Sequence, residues 1–290
     1  MIVILGASGY VGRRMFQSMG AATAIGTYHS KPMLGGIHFD ATRMRLKDVL
    51  PKNPRISHAV VVYAESDIDA CKRDEERSYG INVQSTRRVI DDLVELGIKP
   101  VFTSSEYVFD GERGNYVEDD SAIPTTVYGS QKRQIEQYLT ERCEDYAVLR
   151  LAKVYGSDPG DGTILNNWVK QVRSGERTRC AYDQIFSPVH VDDVVAATEA
   201  VIQKDLSGVF HLAGPQAYSR LAMLRTLLDC LCINAEVEEC SIRDINFLDH
   251  RPSDLSMSPR KLLDGTGLAF KTVLSACEEL VARMSQQVEA

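Results

Sequence analysis

The chain has 290 residues, of which 44% are hydrophobic and 25% are charged, which fits one large globular unit or a domain with an appended lobe. Its formal net charge of −7 argues against a nucleic-acid-binding protein. No apolar run approaches the ~18 residues that a membrane-spanning helix needs, so we expect no membrane partner.

The seven cysteines are scattered, and no pair of histidines completes a metal-binding spacing with them. We therefore expect no metal site and reduced, mostly packed thiols. The first residues have the pattern of a buried strand and not of a secretory leader, so a cytoplasmic location is expected.

Strand-like apolar runs alternate with amphipathic helical patterns through the first half of the chain. Strands are predicted at residues 2–5, 24–28, 37–39, 59–63, 100–103 and 147–151, and helices at 83–96 and 131–143. This alternation predicts an α/β fold, a Rossmann-like doubly wound parallel sheet with helices on both faces.

The pattern changes after residue 155. Residues 156–162 have a loop composition, helices are predicted at 164–173 and 194–203, and residues 209–212 are predicted to form one more sheet strand. We therefore predict an NAD(P)-binding Rossmann domain at 1–155 with return segments at about 180–213, and a smaller substrate-binding lobe from 156–179 and 214–290.

A glycine-rich turn follows the first strand and precedes the first helix, which is the context of a dinucleotide-binding site. Gly6 permits the tight turn, Gly9 lets the backbone approach a pyrophosphate, and Gly12 allows close packing of helix on strand. The neighbouring residues assigned to the cofactor with them are Ser8, Tyr10 and Val11.

The end of the second strand carries no acidic residue to bind the ribose 2′-hydroxyl of NAD. Arg13, Ser30 and Lys31 are instead candidates to bind a 2′-phosphate, so NADP(H) is favoured and NAD(H) is possible. The alternative is that Arg13 and Lys31 are solvated surface charges. Asp40, after the third strand, either accepts a hydrogen bond from the adenine amino group or caps the segment that follows it.

Tyr128 and Lys132 are four residues apart and fall on one face of a predicted helix. There the lysine ammonium is expected to favour the phenolate and to lower the pKa of Tyr128 from about 10 toward neutrality. A tyrosine tuned in this way exchanges a proton with a carbonyl oxygen.

With these motifs the chain resembles the extended short-chain dehydrogenases/reductases, and in particular the dTDP-4-dehydrorhamnose reductase group. The specific block is 103–136, which contains the strand-five motif at 103–111 and the Tyr128–Lys132 pair. Looser matches in the correct order are found at 150–156, 183–188, 210–219 and 251–262, so the resemblance covers nearly the whole chain.

The resemblance implies a catalytic set of Ser105, Tyr128 and Lys132. Tyr128 is the expected general acid, Ser105 donates a hydrogen bond to the carbonyl oxygen, and Lys132 holds the nicotinamide ribose. Ala64 is assigned to the cofactor as well. The residues assigned to a nucleotide-sugar substrate are Ser105, Glu106, Tyr107, Arg150 and Arg251, the two arginines as candidate neighbours of its nucleotide diphosphate moiety.

Some positions depart from the family pattern. Tyr63 stands where small residues are usual, and either crowds the cofactor or points into the core. Asn82 matches a family asparagine, with a helix cap or a buried polar role as the alternative. His190 is interpreted as a structural histidine in preference to a substrate contact.

Two further functions stay open on this fold. Sugar-nucleotide dehydratases typically carry an Asp-Glu pair after the catalytic hydroxyl, and here Tyr107 follows Glu106. Epimerases typically retain NAD with a strand-two acid, which is missing. Both absences favour net reduction by an exchangeable cofactor. A non-catalytic, NADP-binding regulatory subunit is the other alternative, because such a relative keeps similar motifs.

We also expect a homodimer, because helices 83–96 and 131–143 commonly form a four-helix interface in this family. The alternative is a solvated polar face. The charged residues taken to point outward are Arg87, Arg88, Asp91, Asp92 and Arg133.

Overall fold

A computed structural model describes residues 1–289, and thirteen strands lie within that range. In chain order they are β1 (Ile2–Leu5), β2 (Ala24–Tyr28), β3 (Ile37–His38), β4 (His58–Val61), β5 (Lys99–Ser105), β6 (Ala147–Leu151), β7 (Val154–Tyr155), β8 (Thr178–Ala181), β9 (Ile185–Phe186), β10 (Val189–His190), β11 (Gly208–Leu212), β12 (Tyr218–Ser219) and β13 (Val237–Cys240).

The helices alternate with these strands in the first half of the chain and predominate near its end. They are α1 (Tyr10–Met19), α2 (Leu46–Val49), α3 (Ile68–Arg73), α4 (Glu75–Tyr79), α5 (Thr86–Leu96), α6 (Val127–Arg142), α7 (Ile164–Arg173), α8 (Val191–Gln203), α9 (Arg220–Leu231), α10 (Arg260–Thr266) and α11 (Val273–Glu289). A π-helical turn, Gly80–Ser85, connects α4 to α5, and short 3₁₀ turns lie at Glu106–Val108 and Ile242–Asp244.

Seven strands form one parallel sheet in the order β11-β6-β5-β4-β1-β2-β3, which confirms the predicted α/β class. The chain leaves β1 in one direction through β2 and β3, and then crosses to β4 on the other side of β1. The order therefore reverses between β1 and β4, and the crevice at the carboxyl ends of such strands is where ligands bind in open α/β sheets.

Both faces of the sheet are buried, because its strands are nearly continuous apolar runs. Alternation along a strand sends Ile4 to one core and Val3 and Leu5 to the other. Val60 shares the core of Ile4, which also contains residues of α1 and α8, whereas Val61 lies with residues of α5 and α6 in the second core.

A third apolar core collects residues from 155–186 and 218–284. Trp168 of α7, Leu227 of α9 and Leu280 of α11 are all buried there. Strand β13 pairs in parallel with β8 beside it. The sequence did not indicate β13, since Val237–Cys240 is short and has two glutamates at its centre.

Within the described residues, no helix combines the length and the apolar character that crossing a membrane requires.

Asp92 does not lie on the outward face of α5, contrary to our expectation. It is buried against α2, where it accepts hydrogen bonds from the backbone of Leu46 at 2.7 Å and from Arg45 Nε at 3.0 Å. Asp91 of the same helix is partly exposed and accepts from Arg142 Nε at 2.8 Å. The homodimer itself stays a prediction.

Arg150 of β6 is also buried, in an ion pair with Glu136 of α6. Its Nε and Nη2 donate to the two Glu136 oxygens at 3.0 and 2.9 Å. Glu136 Oε1 also accepts from Ser104 Oγ at 2.6 Å, so the pair ties α6 to two sheet strands. The guanidinium of Arg150 is thus engaged inside the fold and does not line the cavity described below, so its contact with a nucleotide diphosphate stays a prediction that this structure does not support.

Replacing Arg150 by Met should lower the free energy of unfolding by about 3–5 kcal/mol, because Glu136 would remain buried without its charge partner. Urea denaturation followed by circular dichroism measures this change. Arg142→Met is the matched control: it removes an exposed pair with Asp91, so its effect should be far smaller. Equal losses in the two variants would contradict the role of the buried pair.

Candidate active site

A cavity of about 1020 Å³ lies along the carboxyl ends of the central strands. Its walls come from the turn after β1, the ends of β2, β4, β5 and β6, and the start of α6. The sequence-predicted residues that line it are Gly6, Ser8, Gly9, Tyr10, Val11, Gly12, Ser30, Lys31, Asp40, Ala64, Ser105, Glu106, Tyr107, Tyr128 and Lys132. Those that do not line it are Arg13, Arg150 and Arg251.

The glycine turn after β1 has the geometry of a phosphate-binding loop. Gly6 has a φ of +98°, and a Cβ built on it would lie 2.9 Å from Tyr63 Cβ. A Cβ on Gly12 would collide with the Gly6 carbonyl. Helix α1 begins here with no acidic residue in its first turn and no side-chain cap, so its N-terminus suits an anion. These residues fit a dinucleotide pyrophosphate.

Polar and basic side chains line the part of the cavity beside the ends of β2 and β3. Lys31 and Arg43 both line it, and Arg43 was not predicted. Arg13 is exposed on α1 outside the lining, as the alternative of a solvated surface charge predicts, and its cofactor contact stays a prediction.

Asp40 accepts hydrogen bonds from the backbone and hydroxyl of Thr42, at 2.9 and 2.6 Å. Burial acts to raise the pKa of Asp40, but these bonds and the nearby His29 and Arg43 lower it overall. The side chain therefore caps the turn after β3, whereas α2 begins further on with Arg45 as its N-cap.

Ser105 and Tyr128 are brought together by a close approach of α6 to the segment after β5. A Cβ on Gly129 would collide with the Tyr107 carbonyl, so glycine is required beside the tyrosine. Thr126 fixes the start of the helix by accepting from the Gly129 backbone at 3.0 Å. Ser105 Oγ accepts from the Tyr107 backbone at 3.3 Å, at the end of β5.

The electrostatics of Tyr128 differ from our expectation. Burial raises the pKa of Tyr128, and hydrogen bonding with Ser105 opposes that rise only in part. Lys132 Nζ lies 5.7 Å from the centre of the Tyr128 ring and donates instead to the Thr103 carbonyl at 2.8 Å. The predicted lowering of the tyrosine pKa is therefore wrong here, because desolvation raises that pKa and the lysine ammonium is bonded to the Thr103 carbonyl instead.

Lys132 is itself buried, with its Nζ 4.7 Å from the centre of the Phe102 ring. Burial lowers the pKa of Lys132 to about 8, although Glu136 acts to raise it. At neutral pH the ammonium is therefore largely protonated.

Glu106 and Tyr107 form the wall next to Ser105. The Tyr107 ring meets the Tyr128 ring edge to face, with centroids 6.2 Å apart. Glu106 is 5% exposed, and burial raises its pKa to about 8 against the opposing charge of Lys153. Lys153, just beyond β6, also lines the cavity and was missed by the sequence analysis. Its position at the carboxyl end of a parallel strand is the signal that would have found it.

The loop at 247–251 reaches across from the C-terminal part to the nucleotide-binding side. Arg251 Nη2 donates to Asp69 Oδ1 of α3 at 2.8 Å. Asp249 Oδ2 accepts from the backbone of Val127, the first residue of α6, at 2.8 Å. Arg251 thus forms an ion pair with Asp69. Its side chain does not line the cavity, so its predicted contact with the substrate stays a prediction.

The departures from the family pattern have structural explanations. Tyr63 packs against the second core while its hydroxyl lies 3.1 Å from Ser85 Oγ. Asn82 holds the backbone of Glu65 by two hydrogen bonds of 2.8 and 2.9 Å, which supports the buried polar role. His190 is buried at the start of α8 and accepts from the Asp192 backbone at 3.2 Å, as a structural histidine does.

The parallel sheet, the glycine turn and the Ser-Tyr-Lys constellation define an α/β protein of the extended short-chain dehydrogenase/reductase type. More narrowly, the chain belongs to the family described as the RmlD substrate binding domain, whose model matches residues 1–286. This confirms the resemblance that the sequence indicated.

Curated relatives include a polysaccharide biosynthesis protein, an adenosyltransferase subunit and a reductase. The spore coat polysaccharide biosynthesis protein SpsK of Bacillus subtilis is 29% identical over 52% of this chain and 52% of its own length, so that match spans about half of SpsK. The rat methionine adenosyltransferase 2 subunit beta is 24% identical over 79% of this chain and 71% of its own. The dTDP-4-dehydrorhamnose reductase of Mycobacterium tuberculosis is 26% identical over 79% and 74%.

Solved structures show the same fold. The Bacillus anthracis dTDP-4-dehydrorhamnose reductase in complex with NADP superposes with a TM-score of 0.84 at 20% identity, over 97% of this chain and 98% of that one. MoeE5 in complex with UDP-glucose and NAD gives 0.82 at 19%, over 99% of both chains. The fold is thus found with either nicotinamide cofactor.

Replacing Gly12 by Ala should abolish dinucleotide binding, because the added methyl group collides with the Gly6 carbonyl and displaces the turn from α1. Quenching of protein fluorescence during an NADPH titration measures this loss. Gly265→Ala is the control, since a Cβ there meets Leu206 at an ordinary 3.6 Å. NADPH binding that survives in Gly12→Ala would argue against this turn as the pyrophosphate site.

Proposed function

We propose that this protein reduces a keto group on a nucleotide-linked deoxysugar with NAD(P)H, in the manner of a dTDP-4-dehydrorhamnose reductase. The observation that carries the proposal is the meeting of Ser105, Tyr128 and Lys132 in the cavity that begins at the glycine turn. The family membership and the reductases among the relatives support the same activity.

A reduced nicotinamide, when bound, supplies a hydride to a carbonyl carbon. The protein must then stabilise and protonate the oxygen. Tyr128 is suited to this task because its phenol is protonated at neutral pH and can donate that proton to the oxygen. Ser105, beside it at the end of β5, is placed to donate a second hydrogen bond to the same oxygen.

Lys132 has a supporting role in this mechanism. Its ammonium is fixed by the Thr103 carbonyl at the base of the cavity and is proposed to hold the nicotinamide ribose. A positive charge near the carbonyl oxygen also favours the negative charge that develops there during reduction. Because the tyrosine starts as a phenol, the resting protonation states favour reduction over the reverse oxidation.

NADP(H) is the proposed cofactor, and NAD(H) remains possible. The residues after β2 are His29, Ser30 and Lys31, so no acidic residue stands there to repel a 2′-phosphate. Lys31, Arg43 and Asp40 all line the cavity, and Arg43 Nε lies 3.6 Å from Asp40 Oδ2. Asp40 is proposed to face the adenine.

Tyr128→Phe should lower kcat for reduction by at least about 100-fold, because the variant lacks the proton donor. The measurement is NADPH oxidation with dTDP-4-dehydrorhamnose, alongside the dissociation constant for NADPH, which should change little. The control is Tyr138→Phe on the same helix, whose hydroxyl is bonded to Asp91 away from the cavity. A Tyr128→Phe enzyme of nearly full activity would refute the assignment.

Arg43→Ala should weaken NADPH binding by roughly 10-fold and leave NADH binding nearly unchanged, because only NADPH carries the extra phosphate. Parallel titrations with the two cofactors test this. Arg13→Ala is the control, because that side chain is exposed outside the cavity. Equal effects of Arg43→Ala on both cofactors, or tighter NADH binding by the unmodified protein, would count against the preference for NADP(H).

A second candidate function is a non-catalytic, NADP-binding regulatory subunit. The similarity to the rat methionine adenosyltransferase 2 subunit beta favours it, since that match covers as much of this chain as the match to the mycobacterial reductase. Copurification of a partner enzyme, together with no turnover of keto-sugar nucleotides, would support this alternative over the reductase.

A further inference from the structure

Tyr128 lies on the part of its helix that supports itself least. It is the second residue of α6, and Gly129 and Ser130 follow it in the same turn. Glycine is a poor helix former, and the backbone N–H groups of a first turn have no partner inside the helix. The ion pair of Glu136 lies about two turns further along, so the start of α6 has to be held by other contacts.

Two side chains supply those contacts. Thr126, the N-cap residue, accepts from the Gly129 backbone at 3.0 Å. The backbone N–H of Val127, the residue before Tyr128, donates to Asp249 Oδ2 at 2.8 Å. Asp249 lies 122 residues further along the chain, so the helix that carries Tyr128 is capped in part by the C-terminal region.

Asp249 is held in place by the compact loop at 247–251. Arg251 closes this loop on itself, because its Nη1 donates to the Asp249 and His250 carbonyls at 3.1 and 3.3 Å. Its guanidinium also lies over the Phe247 ring, 4.4 Å from the ring centre. The second carboxylate oxygen of Asp249 accepts from the His250 backbone at 2.9 Å, so both oxygens are engaged.

Asp69 of α3 anchors the loop to the nucleotide-binding side. Its Oδ1 accepts from the backbones of Leu248 and Asp249, at 3.1 and 3.2 Å. The same oxygen accepts from Arg251 Nη2 at 2.8 Å. The loop is therefore fixed against α3 through its backbone as well as through a side chain.

The loop connects two walls of the cavity and is part of neither. Ile68, beside Asp69 on α3, lines the cavity. Tyr128, beside the capped Val127 on α6, lines it as well. Residues 247–251, all of which the structure describes, do not. Their contacts thus act on the placement of the walls and not on a ligand.

We propose that Asp249 is a positioning residue for the reaction, because its carboxylate fixes the start of α6 and so holds the Tyr128 hydroxyl within reach of the carbonyl oxygen. The inference rests on the proposed function and adds a residue of the C-terminal region to its proton-transfer step. A proton donor has to lie within about 2.6–3.2 Å of its acceptor, so a small displacement of the helix start slows the reaction before it weakens binding. Asp249 acts through the backbone of Val127 and takes no part in the chemistry.

The test replaces Asp249 by Ala, which removes the acceptor for the Val127 backbone. The kcat for NADPH oxidation with dTDP-4-dehydrorhamnose should fall by about 10-fold, while KM and the dissociation constant for NADPH change by less than about twofold. Asp249→Asn should restore most of kcat, because the amide oxygen accepts the same hydrogen bond. A purely structural role would lower the thermal unfolding midpoint and leave kcat per folded molecule unchanged.

Asp244→Ala is the matched control. Asp244 also caps a short turn in the C-terminal region, where its Oδ2 accepts from the Ser241 backbone at 3.0 Å. It is exposed and lies outside the cavity lining, so its replacement should leave kcat unchanged. A similar fall in kcat in both alanine variants, or full kcat in Asp249→Ala, would overturn the proposal.

Asp69→Ala reaches the same loop from its other end and keeps the test decisive if Asp249→Ala does not fold. It releases the loop from α3 without changing the Asp249 side chain, so kcat should fall here too. In the double variant kcat should be about that of Asp249→Ala alone, because both changes act through one cap. Full kcat in a folded Asp69→Ala protein, or effects that multiply in the double variant, would overturn the role of the loop.

Hydrogen exchange reports on the helix start without any turnover. The backbone amides of residues 127–131 should exchange faster in Asp249→Ala than in the unmodified protein, while those around Glu136 keep their rates. Faster exchange, with no turnover by the unmodified protein, would sustain the capping role and reject the reductase. Turnover that is indifferent to Asp249, with unchanged exchange, would sustain the reductase and reject the positioning role.

Discussion

The buried ion pair between Glu136 and Arg150 is the constraint on which the rest of the site depends. It fixes the middle of α6 to β6, and the bond from Ser104 fixes the same carboxylate to β5. The strand that carries Ser105 and the helix that carries Tyr128 are therefore joined at Glu136, about one helical turn beyond Lys132 and two beyond Tyr128. Two charges taken out of water in this way constrain geometry more than they add stability, since their desolvation offsets much of their attraction.

Around this anchor burial shifts the pKa values of three ionisable groups away from their values in water. Burial raises the pKa of Tyr128, lowers the pKa of Lys132 to about 8 and raises the pKa of Glu106 to about 8. The shared cause is desolvation, which always disfavours the charged form. The result is a cavity wall with two proton-bearing acids and one fixed cation, an arrangement matched to an oxygen that gains negative charge.

The sequence predicted the features that depend on local rules and missed those that depend on packing. The glycine turn was predictable because Gly6, Gly9 and Gly12 are required by the backbone itself. The burial of Arg150 and Asp92 was not predictable, because charged residues are expected to be exposed and the partners of these two are distant along the chain. The pKa of Tyr128 was mispredicted for the same reason: helical spacing shows that Lys132 is near but says nothing about how much water remains.

The loop at 247–251 has a consequence for how such proteins can be recombined. Asp249 satisfies a backbone donor at the start of the helix that carries Tyr128, and Asp69 accepts from Arg251 and from the backbones of Leu248 and Asp249. The C-terminal part is thus not an independent module that can be exchanged to bring in a new specificity. A chimaera that imports a foreign C-terminal part would remove a cap from the helix that carries Tyr128, unless the Asp69 and Asp249 contacts are carried over with it.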